Sequence, residues 1–329
     1  MRRNRTGIWV ALLLAGTLAL AACGGGQAPA NQQGSSSSSN AGGSGSSGTK
    51  AKVTIALAVS TLNNPYFVTL RDGAQKEADT RGAQLIVYDA QNDLAKQTSQ
   101  IEDAITKKVD ALIVNPVDSS GIVPAVEEAN KAGVPVIAVD RGVAGGKLAA
   151  FIASDNVEAG KLASEALFKA LGGKGKVALL MGVPGASATN DRTRGFEQAL
   201  GQYGGIQVVA RQTANFDRAQ GLSVMENLLQ AHPDLNGVFA ENDEMALGAI
   251  QALKSAGKNG KVLVTAIDGT PDGVAAVKAG DLLVTVAQQP SWMGSKAVEY
   301  AVDLKAGRSV PSGFTPAPLT VIDKAHAGQ

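Results

Sequence analysis

Short apolar runs alternate with longer mixed segments along most of this chain. From Lys52 onward, β-branched and aliphatic runs are separated by segments that carry apolar residues at helical spacing. Runs that are apolar on both faces are typical of strands buried in a parallel sheet. We predict strands at 53–59, 83–89, 111–116, 134–140 and 148–154, and a second series at 176–182, 206–212, 237–243, 262–269 and 282–290.

The segments between the predicted strands are typical of helices. Two of them end at Gly82 and Gly133, where a helix C-cap is expected. Strands that alternate with helices form a parallel sheet with helices on both faces. The 329 residues, 44% of them hydrophobic, suffice for two domain cores. The predicted fold class is therefore α/β, with two similar doubly wound parallel-sheet lobes.

The chain begins with a pattern typical of a targeting segment. A basic start, "MRRNR", precedes an apolar run from Ile8 to Ala22. A run of about 15 residues is short for a membrane span but suits a signal peptide. It ends in "LAAC", the form of a bacterial lipobox. We predict a signal peptide at 1–22 and lipidation of Cys23, the alternative being an ordinary secreted protein with a chance cysteine.

The residues that follow read as a tether. The stretch from Gly24 to Thr49 consists mainly of glycine and serine, which form a flexible coil. We predict a lipid-anchored linker at 23–50 and an extracytoplasmic protein held at the cell membrane. Cys23 is the only cysteine, so no disulfide is available and stability must come from the core.

The charge of the chain limits its partners. The formal net charge is +1, and three of the positive charges lie in the first five residues, so the remainder is close to neutral. This balance argues against nucleic acid as the main partner.

Polar and aromatic residues follow the predicted strands. Ligands of open parallel sheets bind outside the carboxyl ends of the strands, so these residues are the candidate site. They are Asn64, Tyr66, Phe67, Asn115, Asp140, Arg141, Asn242, Asp268 and Gln288, which Arg192 and Phe216 are expected to join.

This set suits a small neutral polyol. Amide, carboxylate and guanidinium groups can each bond two neighbouring hydroxyls, and aromatic rings can cover the C–H faces of a sugar. Asp140 and Asp268 balance Arg141 and Arg192, so the site would be neutral. The alternative for single positions is structural, because Asn or Asp at a strand end often caps the next helix and aromatic residues there often extend the core.

The sequence gives little indication of an enzyme. His232 lies in a predicted helix-ending turn and His326 near the chain end, and neither reads as a base. The sequence has no phosphate-binding loop, and "GGKGK" at 172–176 reads as a turn before a strand. We predict no enzymatic activity, no cofactor and no metal.

Several motifs carry a family resemblance. "VSTLNNPYFVTLRDGAQKEAD", "QNDLAKQ", "NPVDS", "VDRG", "IASDN", "NFDR", "DGTPDG" and "AQQP" occur between Lys52 and the region after Trp292. In these motifs the chain resembles the periplasmic ribose-binding proteins of bacterial ABC transporters, which belong to the type I periplasmic binding proteins.

The resemblance implies a site and a mechanism. The ribose contacts of the family fall on the same eleven residues, with Tyr66 and Phe67 on one face of the sugar and Phe216 on the other. Three crossing segments, near Ser154, Gln289 and 314–318, would join the lobes and let them close by a hinge motion. The implied lobes are 51–154 plus 289–317 and 155–288 plus 318–329.

The resemblance also implies partners and leaves alternatives. The ligand would be a monosaccharide, with ribose first and allose, galactose or autoinducer-2 as alternatives. An ABC transporter permease would receive it, a chemoreceptor is a further candidate partner, and a monomer is expected. LacI-type repressors use the same fold but need an N-terminal helix-turn-helix, whereas this chain begins with a signal-like segment.

Two positions depart from the family pattern. Tyr66 stands where phenylalanine is usual, and Ile267 replaces an aromatic residue just before Asp268. An aliphatic side chain offers the sugar no flat face, so we predict that Ile267→Phe tightens ribose binding modestly and narrows selectivity against hexoses.

Overall fold

The computed structural model describes residues 52–328. The predicted signal peptide, Cys23 and the predicted linker lie outside these residues. The first half contains, in chain order, β1 (Thr54–Val59), α1 (Pro65–Thr80), β2 (Gln84–Asp89), α2 (Leu94–Thr106), β3 (Ala111–Val114), α3 (Val123–Lys131), β4 (Val136–Val139) and β5 (Ala150–Ser154).

The second half repeats this plan and adds a tail. Its elements are α4 (Asn156–Ala170), β6 (Lys174–Met181), α5 (Ser187–Leu200), β7 (Gly205–Thr213), α6 (Arg218–Ala231), β8 (Gly237–Ala240), α7 (Asp243–Ser255), β9 (Leu263–Asp268), α8 (Pro271–Ala279), β10 (Val284–Ala287), α9 (Pro290–Lys305), β11 (Phe314–Ala317) and β12 (Thr320–Asp323).

The strands form two six-stranded sheets. The first has the order β11-β5-β4-β3-β1-β2 and the second β12-β10-β9-β8-β6-β7. All pairs between neighbouring strands are parallel except β10 with β12. We call the first sheet with α1, α2, α3 and α9 the first lobe, and the second sheet with α4 to α8 the second lobe. The two predicted parallel-sheet lobes are thus confirmed.

The core strands are buried on both faces, as their continuous apolar runs predicted. Strands β3, β4, β8 and β10 are buried at every position, because helices cover both faces of each sheet. Four apolar clusters, two in each lobe, fill the space between sheets and helices. The helix ends predicted at Gly82 and Gly133 are confirmed, since both glycines adopt the left-handed conformation directly after a helix.

The tail contains two strands that the sequence analysis did not identify. Residues 314–318 were expected only to cross between the lobes, whereas β11 adds an edge to the first sheet and β12 an edge to the second. Pro316 lies within β11, which an edge strand tolerates because one side of its backbone needs no partner. The chain passes between the sheets after β5, after β10 and between β11 and β12.

No helix within residues 52–328 is both long enough and apolar enough to cross a membrane.

Candidate functional site

The carboxyl ends of the two sheets line a partly open cavity, whose empty space, counted out into solvent, is about 250 Å³. The two lobes contribute five residues each. The lining residues are Asn64, Tyr66, Phe67, Asp140 and Arg141 from the first lobe, and Ala188, Arg192, Phe216, Asn242 and Asp268 from the second. Nine of the eleven predicted site residues therefore line one cavity, and the other two, Asn115 and Gln288, lie directly behind it.

Two asparagines in the lining also cap helices. Asn64 Oδ1 accepts a hydrogen bond from the Tyr66 backbone N–H at 2.9 Å, and Asn242 Oδ1 accepts one from Met245 N–H at 3.0 Å. The capping interpretation is thus correct for both residues, yet both line the cavity. The cap uses only the amide oxygen, so Asn64 Nδ2 stays available to a ligand; Asn242 Nδ2 also donates to the Phe216 carbonyl at 3.5 Å and has one further N–H for a ligand.

A buried network holds the carboxylate of the first lobe. The Tyr66 hydroxyl donates to Asp140 Oδ1 at 2.8 Å, and Asn115 Nδ2 donates to Asp140 Oδ2 at 3.0 Å. Asn115 Oδ1 accepts from the backbone N–H and the hydroxyl of Ser60. Asn115 is fully buried and engaged at both ends of its amide, so its role in this arrangement is to orient Asp140.

The second lobe presents the matching carboxylate. Gln288 Nε2 donates to Asp268 Oδ1 at 2.9 Å, and Arg192 Nη1 lies 3.8 Å from the same oxygen. Burial raises the pKa of Asp268 well above its ordinary value, while the nearby Arg192 charge opposes this shift. Gln288 Oε1 is buried and has no hydrogen-bond partner within 52–328.

Arg141 connects the two lobes through aromatic rings. Its guanidinium carbon lies 5.2 Å from the centre of the Phe67 ring and 5.4 Å from that of Phe216. Its Nη1 donates to the Pro116 carbonyl at 3.1 Å, whereas its Nε lies 3.9 Å from Asp140 Oδ2 and makes no hydrogen bond within residues 52–328. Burial lowers the pKa of Arg141 to about 10, so the group stays charged at neutral pH.

Arg192 is held more completely. Its Nε donates to Asn156 Oδ1 at 2.9 Å and its Nη1 to the backbone carbonyl of Glu241. Its guanidinium carbon lies 5.6 Å from the Phe216 ring centre. Two hydrogen bonds therefore fix the plane of the group, and Nη2 stays available to a ligand.

Three lining residues adopt unusual backbone conformations. The φ angles of Asp140, Phe216 and Asp268 are 64°, 58° and 137°. Positive φ costs free energy for residues other than glycine and persists where the surroundings impose it. Because positive φ occurs at both aspartates and at one aromatic residue of the lining, it supports a functional role for this cavity.

Sequence reasoning missed Ala188 in the lining and Asn156 behind Arg192. Asn156 lies within "IASDN", one of the motifs that carry the family resemblance, and that motif was the available signal. Alanine carries no chemistry that a sequence pattern could reveal.

Ile267 does not line the cavity. Its side chain is fully buried in the apolar cluster that α4 and α5 form against the second sheet. Successive side chains of a strand point to opposite faces, so the residue before Asp268 packs into the core. The expectation that position 267 faces a ligand is therefore wrong, which removes the physical reason for an aromatic ring there to tighten binding.

The cavity is equipped for binding a polar neutral molecule. It offers two carboxylates, two guanidinium groups, two amides and three aromatic rings, with opposite charges in equal number. Residues 52–328 hold no cluster of three or more His, Cys, Asp or Glu side chains suited to a metal ion.

The known proteins that this chain resembles are binding proteins, as the geometry of the cavity suggests. The family model described as "Periplasmic binding protein domain" matches residues 55–309. The ribose import binding protein RbsB of Bacillus subtilis is 52% identical over 270 residues, which cover 82% of this chain and 87% of that protein.

Solved structures show the same fold. A solute-binding protein of an ABC transporter from Bacillus halodurans, solved with myo-inositol, has a TM-score of 0.81 and 36% identity over 85% of this chain and 98% of that one. A relative from Actinobacillus succinogenes, solved with D-allose, has a TM-score of 0.79 and 37% identity over 84% and 99% of the two chains. The chain belongs to the periplasmic binding protein family, in the group of ABC transporter sugar-binding proteins.

Proposed function

We propose that this protein captures a monosaccharide, D-ribose first, outside the cytoplasm and delivers it to the permease of an ABC transporter. The observation that carries the proposal is the neutral cavity to which each lobe contributes half of the lining. The 52% identity to a ribose import binding protein supports ribose.

The charges of the cavity favour a neutral ligand. Asp140 and Asp268 face Arg141 and Arg192, so an anionic ligand would meet no excess of positive charge. The rings of Tyr66, Phe67 and Phe216 supply apolar surface for the C–H faces of a sugar. The protein performs no chemistry on the ligand under this proposal.

The proposed mechanism is closure of two lobes around the sugar. We assign 51–154 plus 289–317 to the N-terminal lobe and 155–288 plus 318–329 to the C-terminal lobe. Ligand groups come from both lobes, so only a closed form engages them all, and binding shifts the population towards that form. The closed monomer is what the permease, and in a second role a chemoreceptor, would bind.

Calorimetric titration with ribose, allose, galactose and myo-inositol tests the ligand. We expect ribose to bind most tightly and Asp268→Asn to weaken it by about tenfold or more, because an NH2 group replaces one acceptor oxygen and the other loses its charge. Asp72→Asn, at an exposed position of α1, is the control. Tightest binding of allose would reassign the ligand, and failure of every sugar would contradict the function.

The anchor is a separate proposal. Cys23 of the "LAAC" motif would carry the lipid that holds the protein at the membrane. Detergent-phase partitioning of the wild type and of Cys23→Ser tests this. A wild type found wholly in the aqueous phase would rule the anchor out.

A further inference from the structure

The two carboxylates of the cavity differ in the number of hydrogen bonds that they accept from the protein itself. Asp268 accepts one hydrogen bond from a neutral side chain, that of Gln288, at Oδ1. Asp140 accepts one at each oxygen, from Tyr66 at Oδ1 and from Asn115 at Oδ2. The second lobe therefore offers a ligand hydroxyl a largely free carboxylate, whereas the first lobe offers one that is already hydrogen-bonded on both oxygens.

The Tyr66 hydroxyl is firmly placed. The side chain is 4% exposed and its ring packs edge-on against Phe67, with 5.2 Å between ring centres. The residue lies in the first turn of α1 directly after Pro65, and its backbone N–H is bound by the Asn64 cap. Burial and the charge of Asp140 raise the pKa of Tyr66, so the hydroxyl keeps its proton and donates it.

We propose that Tyr66 is a specificity-determining residue. Its hydroxyl makes the hydrogen bond to Asp140 that a hydroxyl of the ligand would otherwise make. This inference rests on the proposed sugar-binding function and deepens it. The cavity then accepts a sugar that lacks the hydroxyl facing Asp140, because the phenol keeps the buried carboxylate satisfied. A phenylalanine at position 66 would leave Asp140 Oδ1 dependent on the ligand.

The physical basis is the cost of an unpaired buried acceptor. A site whose polar groups are satisfied only by the ligand discriminates strongly against analogues that lack the matching hydroxyl. Asp140 is 3% exposed, so water cannot readily replace a missing partner. Tyr66 supplies that partner from within the protein and lowers the discrimination at one hydroxyl of the ligand.

The test compares Tyr66→Phe with the wild type by titration with ribose and with the monodeoxy riboses that each lack one ring hydroxyl. For one of these deoxy sugars we expect the ratio of its Kd to that of ribose to be about tenfold or more larger in Tyr66→Phe than in the wild type. The ratios for the other deoxy sugars should be unchanged. Tyr300→Phe, which removes a hydroxyl from a first-lobe tyrosine that does not line the cavity, is the matched control and should behave as the wild type.

Equal ratios in both proteins for every deoxy sugar would overturn the inference while leaving sugar binding intact. Absence of any sugar binding by the wild type would instead contradict the proposed function. A second readout needs no variant: in the ribose-saturated wild type, the Tyr66 hydroxyl proton should give a slowly exchanging NMR resonance. Rapid exchange of that proton with water would also overturn the inference.

Discussion

Glu241 carries a carboxylate that the second lobe buries completely. Its Oε2 accepts from the Gly182 backbone N–H at 2.8 Å and its Oε1 from the Thr193 hydroxyl at 2.6 Å. Burial raises its pKa from 4.5 to about 7, because these two hydrogen bonds and the nearby charge of Arg192 compensate only part of the lost hydration. Its backbone carbonyl also holds Arg192, so this residue supports the cavity from behind.

The raised pKa predicts how stability depends on pH. The folded protein binds this proton more tightly than the unfolded chain, so the contribution of Glu241 to stability is full below about pH 4.5 and is lost as pH rises to about 7. Glu241→Gln keeps the hydrogen-bonding shape without the charge. We expect it to stabilise the protein at pH 8 by up to about 3 kcal/mol and to change little at pH 5.

Denaturant unfolding of both proteins at the two pH values measures this effect. Glu226→Gln removes an exposed carboxylate of α6 and is the control, for which we expect no comparable gain. A Glu241→Gln gain of equal size at pH 5 and pH 8 would contradict the assignment.

The sequence allowed most of the site to be predicted at the level of single residues. Residues such as Asp140 and Asp268 follow core strands, and the fold brings strand ends together. The sequence did not reveal that Asn115 orients Asp140, because hydrogen-bond partners depend on how side chains are placed in the folded protein. Ile267 was misassigned although the alternation of β9 already placed it opposite Asp268.

At the scale of elements, α5 brings Arg192 to the cavity and depends on close contact with α4. A Cβ atom on Gly195 would overlap the backbone carbonyl of Val157 in α4, and one on Gly160 would overlap that of Arg192. Helix pairs α1–α9 and α6–α7 contain the same reciprocal arrangement. Small residues thus set the distance between helices whose ends carry site residues.

The close contact between α4 and α5 predicts the effect of adding a methyl group at Gly195. Gly195→Ala should destabilise the protein by about 1–3 kcal/mol, because it overpacks a contact with rigid backbone, and should weaken ribose binding by displacing α5. Gly201→Ala at the end of the same helix is the control, since its φ of −58° suits alanine and no neighbouring atom lies closer than 3.6 Å. Thermal unfolding and calorimetry measure both effects, and equal behaviour of the two variants would refute the argument.

The elements themselves were largely predictable, with two instructive exceptions. Buried strands and their helices follow from apolar runs and caps, and all ten predicted strands are present. The strand predicted at 237–243 ends at Ala240, because Asn242 begins the cap of α7. Strands β11 and β12 contain one buried residue between them, so no apolar run marks them, and their pairing with a sheet edge decides their conformation.

At the scale of the whole molecule, the lobes contact each other beside the cavity. The Ser119 backbone N–H donates to the Gly185 carbonyl at 3.0 Å, and the Gly142 N–H donates to the Ser187 hydroxyl at 2.8 Å. The Ser187 N–H in turn donates to the Ser119 hydroxyl at 3.1 Å. These bonds join the first lobe to the second directly, and no sequence pattern revealed them because they depend on how the lobes face each other.

Gly185 makes this lobe contact sensitive to one methyl group. Its φ is +85°, and a Cβ there would overlap the Asp118 carboxylate of the other lobe. That carboxylate cannot readily move, since its Oδ1 accepts from the backbone N–H groups of Ser120 and Gly121. An added methyl group therefore separates the lobes or breaks a turn of the first lobe.

We expect Gly185→Ala to disfavour closure, so that ribose binds less tightly and the ribose-saturated protein has a larger radius of gyration than the wild type. Gly257→Ala is the matched control, because Gly257 has a similar φ of +64° but no atom within 4 Å of the added Cβ. Both variants bear the backbone strain of alanine at positive φ, and only Gly185→Ala, whose added methyl group meets Asp118, obstructs the approach of the first lobe. Calorimetry and small-angle scattering with and without ribose separate the two effects. If both variants lose affinity equally, backbone strain explains the loss, and the contact at Gly185 has no part in closure.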